Sequence, residues 1–198
     1  MFLSEANITK HVLMEAVKEL MRTTPLEKIS ITMIVNACGL NRQTFYYHFQ
    51  DKFAIVNAIF ETEVVLRLED RKCYQHWSDG LLQVLTHIAS HQHFYKNAFQ
   101  TPGENTFRTY FFEVAFSLIK GVIDELADTI EVIERDRAFV GQFYTHAFVG
   151  LTVAWVFTGC LETPEQMVHK IHDVVDGSMY SALVRFSVKQ PASSKSRR

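Results

Sequence analysis

Apolar residues recur at intervals of three and four along most of the chain, a spacing that predicts α-helices. This pattern predicts a first helix over residues 7–22, closed by Thr24 and Pro25, and two shorter helices over residues 31–38 and 42–49. Further helices are predicted over residues 51–73, 81–99, 105–126, 138–159, 164–176 and 179–186. Strand-like alternation of apolar and polar residues does not extend over a useful length, so we predict an all-α fold.

Two of the short predicted helices, within residues 30–52, are joined by a turn that contains glycine. The inward positions of the first lie at helical spacing, namely Ile31, Ile34, Val35 and Cys38. Gly39 and Leu40 break the run, and Asn41 is a suitable N-cap for the second helix. Two short helices with a glycine in the turn are the signature of a helix-turn-helix, so we interpret residues 42–49 as a recognition helix.

The outward face of this recognition helix carries hydrogen-bond donors and aromatic rings. Phe45 and Phe49 lie four residues apart and are expected to point inward. The remaining positions are outward or on the flank, namely Arg42, Gln43, Thr44, Tyr46, Tyr47 and His48. Arg can pair with guanine and Gln with adenine, while Tyr and His can reach phosphate oxygens. An ordinary surface helix with a polar and aromatic face would show the same pattern, so both interpretations stand at this point.

The longer stretch ISITMIVNACGLNRQTFYYHFQDKFAIV, residues 29–56, closely resembles the DNA-binding module of TetR-family transcriptional regulators. In that family the residues that match Arg42, Gln43, Thr44, Tyr46, Tyr47 and His48 face the DNA groove, and those that match Thr32 and Lys52 reach the DNA backbone. The resemblance therefore implies a sequence-specific regulator that binds a double-stranded DNA operator as a homodimer. It divides the chain into a helix-turn-helix domain of three helices, residues 1–50, and a helical effector and dimerisation domain, residues 51–189.

Three segments of the carboxyl half, SHQHFYKNAF, TFRTYF and FYTHAFVGLTVAWVFTGCLETPEQM, are similar to one branch of this family. That branch contains the regulators associated with dihydroxyacetone kinase operons. The similarity is looser than in the amino-terminal part, and Val-Ala-Trp-Val-Phe replaces the more polar surroundings that the matching Trp has in the branch. We expect control by a small ligand or a partner protein bound at the C-terminal domain. The alternative is a regulator or coactivator without its own small ligand that signals through a partner protein.

Small residues in the long apolar segment predict a close approach by another helix. Ala147, Gly150 and Ala154 fall on one face, with Leu151 and Trp155 beside them. On the pattern alone this face packs inside the protomer or forms part of a dimer interface. Because TetR-like proteins pair through their last two long helices into a four-helix bundle, the resemblance favours a dimer interface at these five residues.

Aromatic residues cluster on both sides of the segment TPGEN, residues 101–105, and Phe107, Tyr110 and Phe111 are our candidates within this cluster for binding a ligand or a partner. A cluster of this kind fills a core, lines an apolar ligand cavity or forms a patch for a protein. The sequence leaves these three alternatives open.

The composition of the 198 residues, 47% hydrophobic and 13% aromatic, is sufficient for a buried core. The formal net charge is −2, and residues 1–60 contain six Lys or Arg against five acidic residues, so DNA affinity has to come from a local patch. The three cysteines are widely spaced and indicate neither a disulfide framework nor a zinc site. With no secretory signal, we expect a cytoplasmic protein with a disordered basic tail at residues 190–198.

Residues 138–161 contain no charged residue and are long enough to cross a membrane, but polar residues interrupt them, so we predict a buried helix and no membrane partner. Two sets of residues at helical spacing could present metal ligands on one helix face, namely His87 with His91, and His169 with His172, Asp173 and Asp176. Solvated polar faces produce the same spacing, and we predict no metal site and no cofactor. The motifs GxSxG, GxGxxG and the phosphate-binding P-loop are absent from the sequence, so we predict that the chain is not an enzyme.

Overall fold

The computed structural model describes residues 5–68, 74–103 and 106–187. Across these ranges the regular structure consists of α-helices and short 3-10 turns, with no strand. The predicted all-α fold is therefore confirmed. The basic tail predicted for residues 190–198 lies outside the described residues.

The amino-terminal part contains three α-helices in the order that the sequence predicts. They are α1, Glu5–Met21, α2, Ile31–Ala37, and α3, Arg42–His48, with a 3-10 turn at Leu26–Lys28 between α1 and α2. The apolar face of α1 is buried through Leu13, Met14, Val17 and Met21, none of which is more than 3% exposed. The helix packs against α2 and against the helix over Lys52–Glu63, so α1 supports the first helix of the helix-turn-helix and the helix that follows the motif.

The fourth helix, α4, spans Lys52–Glu63, so the prediction that it continues to residue 73 is wrong. Val64 leaves the helical conformation, with φ −122° and ψ −64°, and a 3-10 turn follows at Val65–Arg67. Two consecutive β-branched residues favour a helix less than straight side chains do. Val64 and Leu68, on either side of this turn, are both buried, at 1% and 2% exposed.

The carboxyl half is a bundle whose centre is formed by two long helices. Its helices are α5, Trp77–Ser90, α6, Gln92–Gln100, α7, Phe107–Leu126, α8, Glu134–Phe157, α9, Pro164–Val175, and α10, Ser178–Ser187. The segment predicted as one helix over residues 81–99 is broken at His91, which has φ −123° and ψ 34°. Thr163 caps α9 through a capping box with Gln166.

Helix α8 contains residues 138–157 of the apolar segment, and it packs along α7 while touching α5, α6 and α10. Its inner face is buried from Val140 to Val156, and the hydroxyl of buried Thr145 donates to the carbonyl of Gly141 over 2.8 Å. Among the residues that the structure describes, no helix combines the length and the apolar character needed to span a membrane.

Candidate nucleic-acid interface

The turn between α2 and α3 is built from local hydrogen bonds and one glycine. Ser30 caps α2 by accepting from the amide of Met33 over 3.2 Å. After α2 ends, Gly39 adopts φ +68°, a left-handed conformation that glycine enters without strain. The amide of Leu40 then donates to the carbonyl of Val35 over 2.9 Å and closes the turn. These contacts fix the angle at which α3 leaves α2.

Helix α3 is fixed at its start by a cap and along its inner face by two aromatic rings. The side-chain oxygen of Asn41 accepts from the amide of Thr44 over 2.8 Å and from its hydroxyl over 3.1 Å. Phe45 and Phe49 are buried, as predicted, with ring centroids 5.9 Å apart. Because the inner face is held by these rings, the orientation of the outer face is set by the core.

The outer face of α3 exposes most of the residues that we predicted for DNA contact. Arg42 and Gln43 are exposed, and Tyr46 and Tyr47 are 50% and 80% exposed. The guanidinium of Arg42 lies 6.0 Å from the centroid of the Tyr46 ring, which holds it along the helix.

The flanking residues have more restricted surroundings. The hydroxyl of Thr44 is used in the Asn41 cap, and His48 is half-buried with its ring 4.9 Å from that of Tyr47. Thr32 is exposed in the first turn of α2. All of these residues lie on the two helices of the helix-turn-helix, and their contacts with DNA stay predictions.

Lys52, for which the resemblance implied a contact with the DNA backbone, has a different set of partners in the structure. Its ammonium donates to the carbonyls of Leu26, Glu27 and Ile29 over 2.8, 2.7 and 3.0 Å. Burial lowers its pKa from the ordinary value. A lysine has three N–H donors, so a direct bond to a phosphate would require one of these carbonyl bonds to break. In this structure Lys52 joins the start of α4 to the turn after α1.

The three candidate residues for a ligand or partner lie in the interior and not on an exposed patch. Phe107 and Phe111 are 1% and 5% exposed, and their rings lie 5.4 and 5.5 Å from that of Phe60 on α4. Tyr110 is half-buried, and its hydroxyl donates to the carboxylate of Glu61 on α4. The cluster therefore connects α7 to α4, the helix that follows α3 in the chain.

An apolar cavity of about 110 Å³ lies beside this cluster, between α4, α5, α7 and α8. Of the three candidates, Phe111 lines the cavity and the other two do not. Other lining residues include Phe60, Trp77, Leu81, Phe148 and Thr152. Since almost all of the lining is hydrocarbon, the cavity suits a small apolar molecule.

A polar network, which the sequence analysis did not identify, joins the amino-terminal helices to α5. The ammonium of Lys18 contacts Glu63 over 2.8 Å, and Nε2 of His87 lies 3.4 Å from the other carboxylate oxygen of Glu63. Burial opposes the charge of Lys18, but its hydrogen bonds to Glu63 and Glu15 outweigh it and raise the Lys18 pKa. Burial, assisted by the nearby His91, lowers the pKa of His87 to about 4. The contacts that join different helices, Lys18 with Glu63 and Glu63 with His87, link residues 24 or more apart in the chain, so no local motif signals the network.

Helix α8 carries an exposed apolar face that contains four of the five predicted interface residues. Ala147, Gly150, Leu151 and Ala154 are all exposed, together with Phe139 and Phe143. Trp155 differs, because it is 4% exposed and its indole N–H donates to the carbonyl of Glu162 over 2.9 Å. Its ring belongs to the protomer core, and we remove it from the set of candidate interface residues.

The histidine pairs considered as metal ligands lie elsewhere in the bundle. The rings of His87 and His91 stack with centroids 4.4 Å apart, and His172 stacks on Trp77 at 5.7 Å. Over residues 5–68, 74–103 and 106–187, no group of three or more His, Cys, Asp or Glu side chains is arranged to hold a metal ion.

Comparison with known proteins links both halves of the chain to one family. Residues 13–59 match the family model "Bacterial regulatory proteins, tetR family", and residues 75–177 match the model "Transcriptional regulator C-terminal region". A curated relative, the HTH-type dhaKLM operon transcriptional activator DhaS of Lactococcus lactis subsp. lactis strain IL1403, is 25% identical over 154 residues. That alignment covers 77% of this chain and 81% of the relative.

Solved structures show the same fold. The dihydroxyacetone kinase operon activator DhaS superimposes with a TM-score of 0.66 at 22% identity, over 91% of this chain and 98% of that one. NalD, the secondary repressor of the MexAB-OprM multidrug efflux pump in Pseudomonas aeruginosa, gives a TM-score of 0.63 at 18% identity, over 92% and 98% of the two chains.

The helix-turn-helix, its exposed α3 and the helical bundle behind it define a transcriptional regulator with an amino-terminal DNA-binding domain. The family matches together cover most of the chain, and the carboxyl-terminal match alone covers more than half of it. The chain belongs to the TetR family of transcriptional regulators, and it resembles the branch that includes the dihydroxyacetone kinase operon activator.

Proposed function

We propose that the protein binds a pseudo-palindromic operator as a homodimer in the cytoplasm and that it regulates transcription without catalysing a reaction. The observation that carries this proposal is the outer face of α3, where Arg42, Gln43, Tyr46 and Tyr47 are exposed on a helix whose inner face is anchored in the core. A helix with these groups fits the major groove, where Arg and Gln read base edges.

Selection of bound duplexes from a random pool tests operator binding. We expect a two-fold symmetric consensus whose half-site centres are separated by about one helical turn or a small multiple, near 10 base pairs or more. A protein with its outer α3 residues Arg42 and Gln43 replaced by Ala serves as the matched control, and it should lose the consensus. If the duplexes selected by the unaltered protein share no consensus sequence, the proposal is excluded.

The exposed face of α8 supports the homodimer. Phe139 and Phe143 are 57% and 62% exposed, and Leu151 is 48% exposed, which is a large apolar area for a free surface. A side chain added at Gly150 would meet no atom within 4 Å in the protomer, so another helix has room to approach there. A second copy of the chain covers this face in our proposal, through a two-fold contact in which the same residues are used twice.

Sedimentation velocity at micromolar concentration measures the dimer directly. We expect Phe143→Glu to give monomers, because it would place two charges in an apolar contact around the two-fold axis. Ile8→Glu is the control, since Ile8 is an equally apolar side chain, 51% exposed, on α1. Unaltered protein that sediments as a monomer would contradict the proposal, and so would a Phe143→Glu variant that remains dimeric.

For control by a signal, we propose a small apolar ligand in the cavity beside Phe111. The cavity volume, about 110 Å³, is close to that of a site that holds benzene, roughly 150 Å³. Fluorobenzene, followed by fluorine NMR, is a suitable probe of this space. Ala115 lines the cavity, so Ala115→Leu would fill part of its volume and should abolish binding of the probe. Ala37→Leu, the same change at an exposed position of α2, should leave binding intact.

The second candidate is a regulator that signals through a partner protein, and the small volume of the cavity is the observation that favours it. Fluorobenzene that binds neither the unaltered protein nor the Ala37→Leu variant would favour this candidate. Because a curated relative activates the dhaKLM operon, we also propose a dihydroxyacetone kinase operon as the target. A mobility-shift assay with the upstream region of such an operon from the same genome tests it, with unrelated DNA as the control.

A further inference from the structure

The side chain of Asn97, on α6, binds the end of α1 and the turn between α1 and α2, which we define as residues 22–30 and call the α1–α2 turn. Its oxygen accepts from the amide of Leu26 over 2.8 Å, and its nitrogen donates to the carbonyls of Met21 and Thr24 over 2.9 and 2.8 Å. An asparagine offers two N–H donors and one carbonyl oxygen, so both donors and the acceptor are used. The contacts join the carboxyl half, residues 74–187, which we call the regulatory half, to the DNA-binding domain across more than 70 residues of sequence.

The same turn is held from its other side by Lys52. The amide of Leu26 is bound by Asn97, and the carbonyl of Leu26 is bound by the Lys52 ammonium over 2.8 Å. Lys52 begins α4 three residues after Phe49, the last aromatic anchor of α3. Leu26 itself is 1% exposed, so its backbone groups have no access to water as a substitute partner.

Helix α6 also belongs to the aromatic cluster that borders the cavity. Tyr95 and Phe99 lie two residues before and after Asn97, and their ring centroids are 5.6 and 5.0 Å from that of Phe107. A displacement of the cluster would therefore move α6, and the amide of Asn97 with it. This connection reaches the DNA-binding domain through the α1–α2 turn and does not pass along α4.

We infer that Asn97 is a positioning residue for operator binding, which fixes the orientation of α3 relative to the regulatory half through the α1–α2 turn. This inference rests on the proposed function as a homodimer on a two-fold operator. In such a dimer the orientation of each DNA-binding domain sets the distance between the two α3 helices. Without the Asn97 contacts, the distance between the two α3 helices is less restricted, so the protein should bind operators with altered half-site separation more readily.

The experiment measures affinity for a series of duplexes in which the half-site separation is changed by one and two base pairs. Full-length Asn97→Ala and Asn97→Asp are compared with the unaltered protein. The aspartate keeps an acceptor for Leu26 but places a carboxylate oxygen against the carbonyls of Met21 and Thr24. Gln100→Ala is the matched control, because Gln100 carries the same amide group on the exposed side of α6.

The measured quantity is the ratio of the affinity for the duplex with the best half-site separation to the affinity for the duplex with the next best. We expect this ratio to fall by about tenfold in both Asn97 variants, a size typical of coupling between sites, and to stay unchanged in Gln100→Ala. Hydrogen exchange at the Leu26 amide should accelerate by at least about tenfold in Asn97→Ala, since that amide loses its acceptor. The second measurement applies to the folded protein without DNA.

An unchanged preference for separation in both variants would overturn the inference while the proposed function stands. Equal loss of affinity at all separations, with a lower melting temperature, would also overturn it, because that result marks a purely structural residue. Failure of the unaltered protein to prefer any separation would instead overturn the proposed function, and the inference with it. If Asn97→Ala does not fold, Asn97→Asp decides between these outcomes.

Discussion

Replacement of Lys52 by Ala separates two roles for this residue, a phosphate contact and an internal support. The structure gives the ammonium three backbone carbonyls, those of Leu26, Glu27 and Ile29. A hydrogen bond to a charged group contributes about 1.5–3 kcal/mol. The three bonds share one partly exposed ammonium group, so together they contribute less than three times that value. We therefore expect Lys52→Ala to lower the free energy of unfolding by about 2–3 kcal/mol.

In a protein of this length each kcal/mol shifts the melting temperature by about 2–4 °C, so a decrease of about 5–10 °C is expected. The assay is thermal unfolding followed by circular dichroism, together with operator affinity measured at several salt concentrations. As an internal support, Lys52 should leave the salt dependence unchanged. A lost phosphate contact would instead reduce the slope by about one unit per protomer.

Two variants make the comparison decisive. Lys52→Arg retains the charge, but its planar guanidinium cannot direct donors to three converging carbonyls, so we expect most of the stability loss to remain. Lys28→Ala removes an exposed charge from the same turn and controls for the change in net charge. Normal stability in Lys52→Ala, combined with a reduced salt slope, would refute the internal role and restore the phosphate contact.

Three further predictions address the operator, the aromatic cluster and pH. Replacing Arg42 or Gln43 by Ala should relax base preference at one position of each half-site, at a cost of about 1–3 kcal/mol for the preferred base; uniform weakening in a selection of bound duplexes would indicate backbone contacts instead. Tyr110→Phe keeps the ring and removes its hydrogen bond to Glu61, so calorimetry should show a loss of about 1 kcal/mol with unchanged operator affinity without ligand, and a clearly weaker operator complex would argue against this assignment. Because burial lowers the pKa of His87 from 6.5 to about 4, the unfolded chain binds the extra proton first. The contribution of His87 to the free energy of unfolding should therefore be at its full value above pH 6.5 and should decrease as the pH falls towards 4, by about 2 kcal/mol after allowance for solvent screening. In urea titrations at several pH values, His87→Gln should show a smaller decrease.

The helix-turn-helix could be predicted in detail because its determinants are local. Ser30 and Asn41 accept from amides three residues ahead, and Gly39 supplies the positive φ that the turn requires. Phe45 and Phe49 show their buried side through a spacing of four. Each of these residues acts on positions only a few residues away, so the local sequence is enough to predict the two helices and the turn between them.

Features that depend on distant residues could not be predicted in the same way. The pattern of apolar residues continues past Glu63, but α4 ends there, because Val64 adopts φ −122° and ψ −64° and a 3-10 turn follows. Trp155 has the spacing of an interface residue, yet the carbonyl of Glu162, beyond the end of α8, draws its indole into the core. The resemblance also gave Lys52 a role in DNA binding without showing the carbonyls that surround it.

The predicted boundary between residues 50 and 51 assigns α4 to the second domain, but α4 has contacts on both sides of that boundary. At its start Lys52 holds the turn after α1, and in its last turns Phe60 and Glu61 contact the rings of α7. With a rise of about 1.5 Å per residue, its 12 residues span about 18 Å, short enough to move as one rigid rod. Leu26 is bound by Lys52 through its carbonyl and by Asn97 through its amide. Sliding α4 against α6 must therefore break one of these two bonds, so the signal that we propose for the carboxyl half has to move both helices together or release the turn between them.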